Sequence, residues 1–323
     1  MDKTDMGYLN GEKHRWLRTL NVTDAPAHTE APHCGSMGHV LSFPESCALA
    51  HKFGFDAVNA DRDFLRQHGP ESSRRLLETH RLEPAAFAFS AAFNAYFSDT
   101  EFEQSLVPFE KDLSLAGQAG FRRCVGFVQP SSHQFTFYEH FTLLRRRLQR
   151  IVPLLKKHGI RLGLEFIGPT TMRLRPKFDF VHTIDGVRSL IAAADAQSQV
   201  GFKLDSLHWY ASGAGLLDIE KLAAQEIVYV EINDGLKGNY DRFTLPEFQR
   251  ELPGATGAID LDGMLAALDA IGFSGPVVVE PWNETLRRLP TSDAVRLVKA
   301  ALDHSLNSAG IETADNISCG RNN

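Results

Sequence analysis

The sequence predicts an α/β protein built as a single (β/α)₈ barrel with extensions at both ends. Two observations support this fold class. Short β-rich runs alternate with helix-length amphipathic segments, and several of those segments end in glycine just before the next run, as in HKFGF, KKHGI and AIGF. No GxGxxG or GxxxxGKS/T motif follows a predicted strand, which favours a closed barrel over an open doubly wound sheet.

Each strand is predicted from a short apolar run. Seven clear runs lie at residues 55–60, 85–90, 123–128, 161–167, 200–205, 227–232 and 276–281, and a weaker first strand is predicted at residues 35–41. The helices between them show apolar residues at three- and four-residue spacing, as at Leu144, Leu148 and Ile151. Residues 1–32 and 306–323 are polar and lack both patterns, so we expect an N-terminal extension and a C-terminal tail around a barrel of residues 33–305.

The composition is typical of a soluble globular protein. Of 323 residues, 43% are hydrophobic and 23% are charged, and 34 Lys plus Arg against 40 Asp plus Glu give a net charge of −6, which disfavours nucleic acid as a partner. The 4 cysteines form no CxxC pair, and no stretch reaches the roughly 18 apolar residues that a membrane span needs. We therefore expect a cytoplasmic protein with reduced thiols and no membrane partner.

Four late strands are predicted to end in an acidic residue: Glu165, Asp205, Glu231 and Glu280. Because the carboxyl ends of parallel barrel strands meet at one face, we expect these carboxylates to converge. Two carboxylates about 4 Å apart repel by roughly 4 kcal/mol at an effective dielectric constant of 20, so their convergence predicts a bound cation. All-oxygen ligands favour Mn²⁺ or Mg²⁺ over Zn²⁺. The alternative for any one acid is that it caps the next helix or pairs with an arginine.

Three further residues lie close to these acids in the sequence. His208 follows Asp205 by three residues, so a tight turn would bring its ring to the metal or to the substrate. Asp234 follows the acid of the seventh strand and is expected either to support the metal ligands or to cap its own loop. Lys203 precedes Asp205 by two residues, so strand alternation points both side chains into the barrel, where pairing with a ligand carboxylate is favoured over a role as a catalytic acid.

The motifs LGLEFIG, LDSLHW, VEINDG and ELPGATGAIDLDGMLAALDAIGFSGPVVVE, in this order, resemble the xylose-isomerase-like barrels often called sugar phosphate isomerases/epimerases. The similarity covers about residues 34–304. Its most specific part is the last motif, which in that family leads into the final strand and its metal-binding Glu. The resemblance implies a divalent metal held by Glu165, Asp205, Glu231 and Glu280, with His208 near the substrate.

The sequence departs from the family at the third ligand position. Many members carry His there in an HxxD pattern, whereas this chain has Glu231 before Asp234, which makes the expected site more anionic. Ketose 3-epimerases of the family also tend to carry a further Glu and an Arg where this chain has Thr171 and Lys237. These differences argue against a ketose 3-epimerase.

The loops at the strand exits provide candidate substrate contacts. Residues 233–258 exceed the two to six residues usual for such connections and predict a lid or a contact between subunits of a homo-oligomer. We expect Arg173 and Lys237 to bind a phosphate or carboxylate or to balance the acids. Trp209 and Trp282 are expected to stack on the apolar face of a small sugar-like substrate, or to pack within the loops.

The activity expected from this site is metal-dependent isomerisation or epimerisation of a small sugar-like α-hydroxycarbonyl. The ion would chelate the carbonyl and hydroxyl oxygens and stabilise an enediolate. Glu165 or Glu280 would remove the α-proton, the other would return it, and His208 would hydrogen-bond the oxyanion. The alternative is a lyase that expels a β-hydroxyl or glycosyl oxygen from the same enediolate, as in the inosose and dehydroshikimate dehydratases of this fold. An abasic-site nuclease would need a basic groove and more His ligands, and a non-catalytic barrel would bind without turnover.

Overall fold

The structure, a computed structural model, describes residues 15–21, 36–238 and 240–311. The strands within these residues are β1 (Trp16–Leu20), β2 (Ala57–Val58), β3 (Glu83–Pro84), β4 (Phe87–Ala88), β5 (Arg123–Val128), β6 (Ser131–Ser132), β7 (Arg161–Phe166), β8 (Phe178–Asp179), β9 (Val200–Asp205), β10 (Ile227–Ile232) and β11 (Gly275–Val279). The helices are α1 (Phe43–Lys52), α2 (Arg62–His80), α3 (Asp99–Gln118), α4 (Phe137–His158), α5 (Ile184–Ala193), α6 (Ser206–Ala211), α7 (Leu216–Glu220), α8 (Leu261–Ala270), α9 (Glu284–Arg288) and α10 (Thr291–Ser308).

The strands form a closed parallel barrel, as predicted. The pairing order is β3-β2-β1-β11-β10-β9-β7-β5-β4, and every pair in this sheet is parallel. The two ends of that order, β3 and β4, are separated along the chain by only residues 85 and 86. The Ala85 amide donates to the Val58 carbonyl at 3.1 Å on one side, and the Phe89 amide donates to the Val125 carbonyl at 2.8 Å on the other. The sheet therefore closes with eight strand positions, while β6 and β8 form a separate antiparallel pair.

The first barrel strand lies within the segment predicted as the N-terminal extension. β1 is buried and pairs with β11 in the register Trp16↔Gly275, whereas residues 36–41 of the predicted first strand form a turn and irregular backbone. The prediction failed because Arg18 interrupts the apolar run. Its guanidinium is buried through an ion pair with Asp56, whose Oδ2 lies 2.7 Å from Nε. The predicted barrel start at residue 33 is therefore wrong.

The other strands lie close to their predicted positions. β5, β9 and β10 coincide with the predicted runs, and β7 ends one residue earlier than predicted. β11 ends at Val279, so Glu280 is the first residue after the strand. At the C-terminal end, α10 continues to Ser308, beyond the predicted barrel end at 305, and Ile311 is buried. The remainder of the predicted tail, residues 312–323, lies outside the described residues.

Helices packed around the sheet form the main hydrophobic core. In α4 the predicted apolar positions Leu144, Leu148 and Ile151 are fully buried, and Gly159, which directly follows the helix, provides the left-handed cap with a φ of 63°. Cys47 and Cys124 are buried free thiols. Within the described ranges, no helix is both long and apolar enough to span a bilayer.

Candidate active site

The four predicted acids converge at the carboxyl ends of four strands that are neighbours in the barrel. Glu165 lies near the end of β7, Asp205 ends β9, Glu231 lies near the end of β10, and Glu280 follows β11. The register pairs Glu231 with Asp205, so alternation turns both side chains to the same, inner face. The acids gather into a cluster because the barrel brings the ends of these strands together.

The ligand atoms of this cluster fall into two overlapping groups. Single atoms of Glu165, Asp205 and His208 lie within 4.8 Å of one another, and so do single atoms of Asp205, Glu231 and Glu280. Asp205 belongs to both groups and is therefore at the centre of the cluster. The predicted convergence of the acids is confirmed, and His208 joins them.

Lys203 provides a cation inside the cluster, as the sequence predicted. Its Nζ lies 2.8 Å from Glu231 Oε2 and 3.2 Å from Glu165 Oε2, and the three side chains are nearly buried. Burial alone would lower the pKa of Lys203, but the two carboxylates raise it well above its usual value. The ammonium group is therefore charged and balances two of the four acids.

Burial dominates the ionisation of the two carboxylates beside Lys203. It raises the pKa of Glu165 to about 7, against the opposing effects of Lys203 and His208. It also raises the pKa of Glu231 well above its usual value, and the neighbouring Glu280 adds to that rise. Glu165 thus titrates close to neutral pH, in the range in which a carboxyl group exchanges protons effectively with a substrate.

The loop of residues 233–258 brings a second cation to the cluster. Arg250 is 1% exposed, and its Nη1 donates to Glu280 Oε2 at 2.6 Å and to Asp205 Oδ2 at 3.0 Å. Its Nη2 donates to Glu247 Oε1 at 2.7 Å, so the same loop also carries a counter-ion. The sequence analysis inferred a bound cation from the convergence of the acids. That inference does not hold by itself, because Lys203 and Arg250 already contact all four carboxylates.

His208 is held between the acids and the loop after β7. Its Nδ1 accepts a hydrogen bond from the Gly168 amide at 3.3 Å, and its Nε2 lies 3.4 Å from Glu247 Oε1 and 3.7 Å from Glu165 Oε1. This approach needs a glycine, since a Cβ at Gly168 would lie 2.3 Å from the His208 carbonyl oxygen. With Nδ1 as the acceptor, Nε2 carries the proton that faces the site.

Asp205 also organises the local backbone. Its Oδ1 accepts from the His208 amide at 3.0 Å and caps α6, which explains how the tight turn places the imidazole beside the acids. Its Oδ2 accepts from Asn233 Nδ2 at 2.7 Å as well as from Arg250. The capping alternative is thus correct for Asp205, in addition to its place in the cluster.

Asp234 organises the long loop. Its Oδ1 accepts from the Gly235 and Ile259 amides, and its Oδ2 accepts from the Thr256 and Gly257 amides, at 2.8 to 3.1 Å. Four donors occupy both oxygens, so Asp234 caps the loop, which was one of the two predicted alternatives. The loop that delivers Arg250 is closed at its base by this carboxylate.

The four residues predicted to contact substrate lie in different environments. Arg173 pairs with Asp179 at 2.9 Å, and Lys237 is exposed and has no ion pair with a described carboxylate. Trp209 is 2% exposed in the hydrophobic core and donates to the Gly215 carbonyl, so its role is packing. Trp282 is adjacent to the site and has a strained backbone with φ of 33°.

Glu247, Arg250 and Asn233 are the site residues that sequence reasoning missed. Asn233 directly follows β10, and the two charged residues lie in a long loop without periodicity, where nothing in the pattern distinguishes a buried charge from an exposed one. One sequence feature could have pointed to Arg250: it lies three residues before the Pro-Gly of the most specific motif.

The donor set fits a divalent cation. Glu165 Oε1 is buried and has no hydrogen-bond partner among the described residues, and it lies 3.7 Å from His208 Nε2. A buried carboxylate oxygen without a donor is unfavourable unless a cation contacts it. Carboxylate oxygens with one imidazole nitrogen suit several divalent metals, so the set does not select among Mn²⁺, Mg²⁺ and Zn²⁺.

Known proteins provide three informative comparisons. The inosose isomerase of Halalkalibacterium halodurans is 23% identical over 237 residues, which span 73% of this chain and 80% of that protein. The 3-dehydroshikimate dehydratase of Pseudomonas aeruginosa is 28% identical over 149 residues, which span 46% of this chain but only 22% of that protein. A solved structure of the IolI protein with a bound zinc atom has a TM-score of 0.72 and 20% identity, covering 91% of this chain and 98% of that one.

The family assignment rests on most of the chain. The family model described as xylose isomerase-like TIM barrel matches residues 47–306, which include every residue of the acidic cluster and both cations that contact it. The parallel barrel described above is the fold that this description names. This chain belongs to the xylose isomerase-like TIM barrel family.

Proposed function

We propose that this protein is a metal-dependent isomerase or epimerase of a small sugar-like α-hydroxycarbonyl. The observation that carries the proposal is the convergence of Glu165, Asp205 and Glu280 with His208 at the carboxyl ends of barrel strands. This is the end of the barrel at which enzymes of the fold bind substrates. The similarity to an inosose isomerase supports a sugar-like or cyclitol substrate.

Two carboxylates are proposed to move the proton. Glu165, whose pKa burial raises to about 7 in the metal-free protein, removes or returns the proton on the carbon next to the carbonyl. Glu280 performs the complementary transfer, and its contact with Arg250 at 2.6 Å fixes its orientation. The Nε2–H of His208 faces the same space and hydrogen-bonds the oxygen on which negative charge develops.

A divalent metal is proposed to be held by Glu165, Asp205, Glu231 and Glu280. When bound there, it supplies Lewis-acid stabilisation of the carbonyl and hydroxyl oxygens of the substrate. Lys203 also contacts Glu165 and Glu231, so these two carboxylates would interact with both the ammonium group and the ion. The zinc in the IolI structure and the orphaned oxygen of Glu165 support a metal, and its identity is left to the experiment.

A lyase is the second candidate, and the similarity to a 3-dehydroshikimate dehydratase favours it specifically. The same two carboxylates would serve both reactions. The difference lies in the fate of the bond next to the carbanion centre, which breaks in a lyase and stays intact in an isomerase. A cytoplasmic location, the exclusion of nucleic-acid and membrane partners, and a homo-oligomer formed through the long loop stay predictions.

The test is turnover of a panel of inososes, ketoses and keto-glycosides with Mn²⁺, Mg²⁺ or Zn²⁺ added to metal-free protein. We expect isomerisation of at least one member, with Glu280→Gln lowering turnover by at least ~100-fold, the usual effect of removing a general acid or base. Glu284→Gln is the matched control, since it makes the same change four residues away on an exposed side chain of α9. Equal activity of the two variants would remove Glu280 from the reaction.

A further inference from the structure

A second region of interest lies at the opposite end of the barrel. A cavity of about 410 Å³ opens at the amino ends of the strands, and its lining includes Arg122, Arg123 and Arg161. Arg123 and Arg161 are the first residues of β5 and β7, whereas Glu165 lies near the other end of β7. The cavity is therefore separated from the acidic cluster by the length of the barrel interior.

Two of these arginines lie side by side on neighbouring strands. The parallel register pairs Arg123 with Arg161. Since Glu165 points into the barrel, alternation turns Arg161, four residues earlier, into the barrel as well, and its register partner Arg123 with it. Like charges directly opposite on one face of a sheet destabilise it unless a counter-charge is present.

Two glycines show where the guanidinium groups lie relative to the other strands. A Cβ on Gly201 would lie 3.1 Å from Arg161 Nη2, and a Cβ on Gly275 would lie 3.9 Å from Arg123 Nη2. Arg123 therefore reaches across the end of the barrel from β5 to β11. The two arginines line the same space from different sides, as a site for one shared ligand requires.

These arginines form no ion pair with a carboxylate in the described part of the chain. Arg122 and Arg161 donate to neutral backbone acceptors, the carbonyls of Gly117 and Gln225, and no ion pair within 4.0 Å involves Arg122, Arg123 or Arg161. Two acids lie near this end of the barrel, but Glu83 pairs with Arg15 and Glu226 pairs with Arg188. Burial and the adjacent charge of Arg161 lower the pKa of Arg123, and the opposing effects of Glu83 and Tyr229 do not restore it, so the positive form of Arg123 is incompletely compensated.

We infer that this cavity binds a phosphate-type dianion, either inorganic phosphate or the phosphoryl group of a small metabolite, between Arg123 and Arg161, with Arg122 at the rim. A dianion neutralises two guanidinium groups at once and accepts the paired N–H donors that each of them offers. A cavity of about 410 Å³ accommodates a phosphomonoester as well as the free ion. This site is independent of the proposed reaction.

The first experiment is calorimetric titration of the wild-type protein with inorganic phosphate at constant ionic strength, with acetate and chloride as comparison anions. We expect saturable one-to-one binding of phosphate that is at least tenfold tighter than that of acetate, together with a higher melting temperature. Glycerol phosphate distinguishes the two sources, because tighter binding than inorganic phosphate indicates a phosphorylated metabolite. No saturable phosphate binding, or equal binding of acetate, would overturn the inference.

The second experiment locates the binding. Arg123→Met and Arg161→Met should each weaken phosphate binding at least tenfold, whereas Arg75→Met, at an exposed position of α2, makes the same charge change and should leave it intact. Glu280→Gln should also leave it intact. Should the cavity variants fail to fold, phosphate must slow phenylglyoxal modification of Arg123 and Arg161 in the wild-type protein. Unchanged binding in the folded variants, or unchanged modification rates, would contradict the site.

Discussion

Substitution of Lys203 by methionine should strongly destabilise the metal-free protein. The ammonium group lies 2.8 Å from Glu231 Oε2 and 3.2 Å from Glu165 Oε2. At an effective dielectric constant of 20, these contacts correspond to gross attractions of about 6 and about 5 kcal/mol. Desolvation offsets most of that sum, and removing one partner of a buried ion pair typically costs about 3–5 kcal/mol because the other charge is left unpaired. We expect a loss in this range.

The assay is urea denaturation in EDTA, with the unfolding free energy obtained by linear extrapolation. Lys221→Met is the matched control, because Lys221 is 69% exposed and pairs with Asp218 at 3.5 Å, and loss of such a surface pair should cost less than about 1 kcal/mol. Adding Glu231→Gln to Lys203→Met removes one of the two carboxyl groups that lost their ammonium partner and should recover part of the loss. A Lys203→Met protein that is no less stable than Lys221→Met would refute the charge balance described for the site.

Three further predictions concern the acids. Removing metal with EDTA should lower the melting temperature of the wild-type protein, and restoring a metal at 100 times its Kd should add about 2.7 kcal/mol to the unfolding free energy. An unchanged melting curve, together with no metal by elemental analysis, would contradict the proposed ligands. Glu231→Ala should weaken metal affinity at least ~10-fold by calorimetry, the usual scale for losing a site residue, while Glu231→His should retain it, and wild-type affinity in Glu231→Ala would exclude Glu231 as a ligand. The pKa of Glu165 in the folded metal-free protein is about 7, above its ordinary 4.5, so between these pH values the folded protein retains a proton that the unfolded chain releases. The contribution of Glu165 to the unfolding free energy therefore falls as the pH rises from 4.5 to about 7. Glu165→Gln should remove this pH dependence in urea titrations.

Strand periodicity and strand-end chemistry made most of the fold and the acidic cluster predictable. β5, β9 and β10 are mostly apolar runs, because a parallel strand in a barrel covered by helices admits few polar residues. An acid that ends such a run, such as Asp205, is conspicuous for the same reason. β1 was missed because the ion pair between Arg18 and Asp56 allows a charged residue inside a buried strand, and that pairing spans 38 residues of sequence.

The cations of the site were only partly predictable. Lys203 lies two residues from Asp205 in one strand, so alternation alone places it inside the barrel. Arg250 reaches Asp205 across 45 residues, through a loop whose path depends on the four amide hydrogen bonds to Asp234. No local pattern encodes that path. Trp209 shows the opposite error, because an aromatic residue in a strand-exit helix has the same sequence context whether it contacts substrate or the core.

The most direct test of the proposed function is reaction in D₂O with a substrate identified by the panel, followed by mass spectrometry of the product. An isomerase in which Glu165 and Glu280 exchange protons with solvent should give a product of the substrate's mass, apart from deuterium gained at a carbon next to the carbonyl. A product that has lost water or an alcohol would contradict the isomerase and establish the lyase in its place.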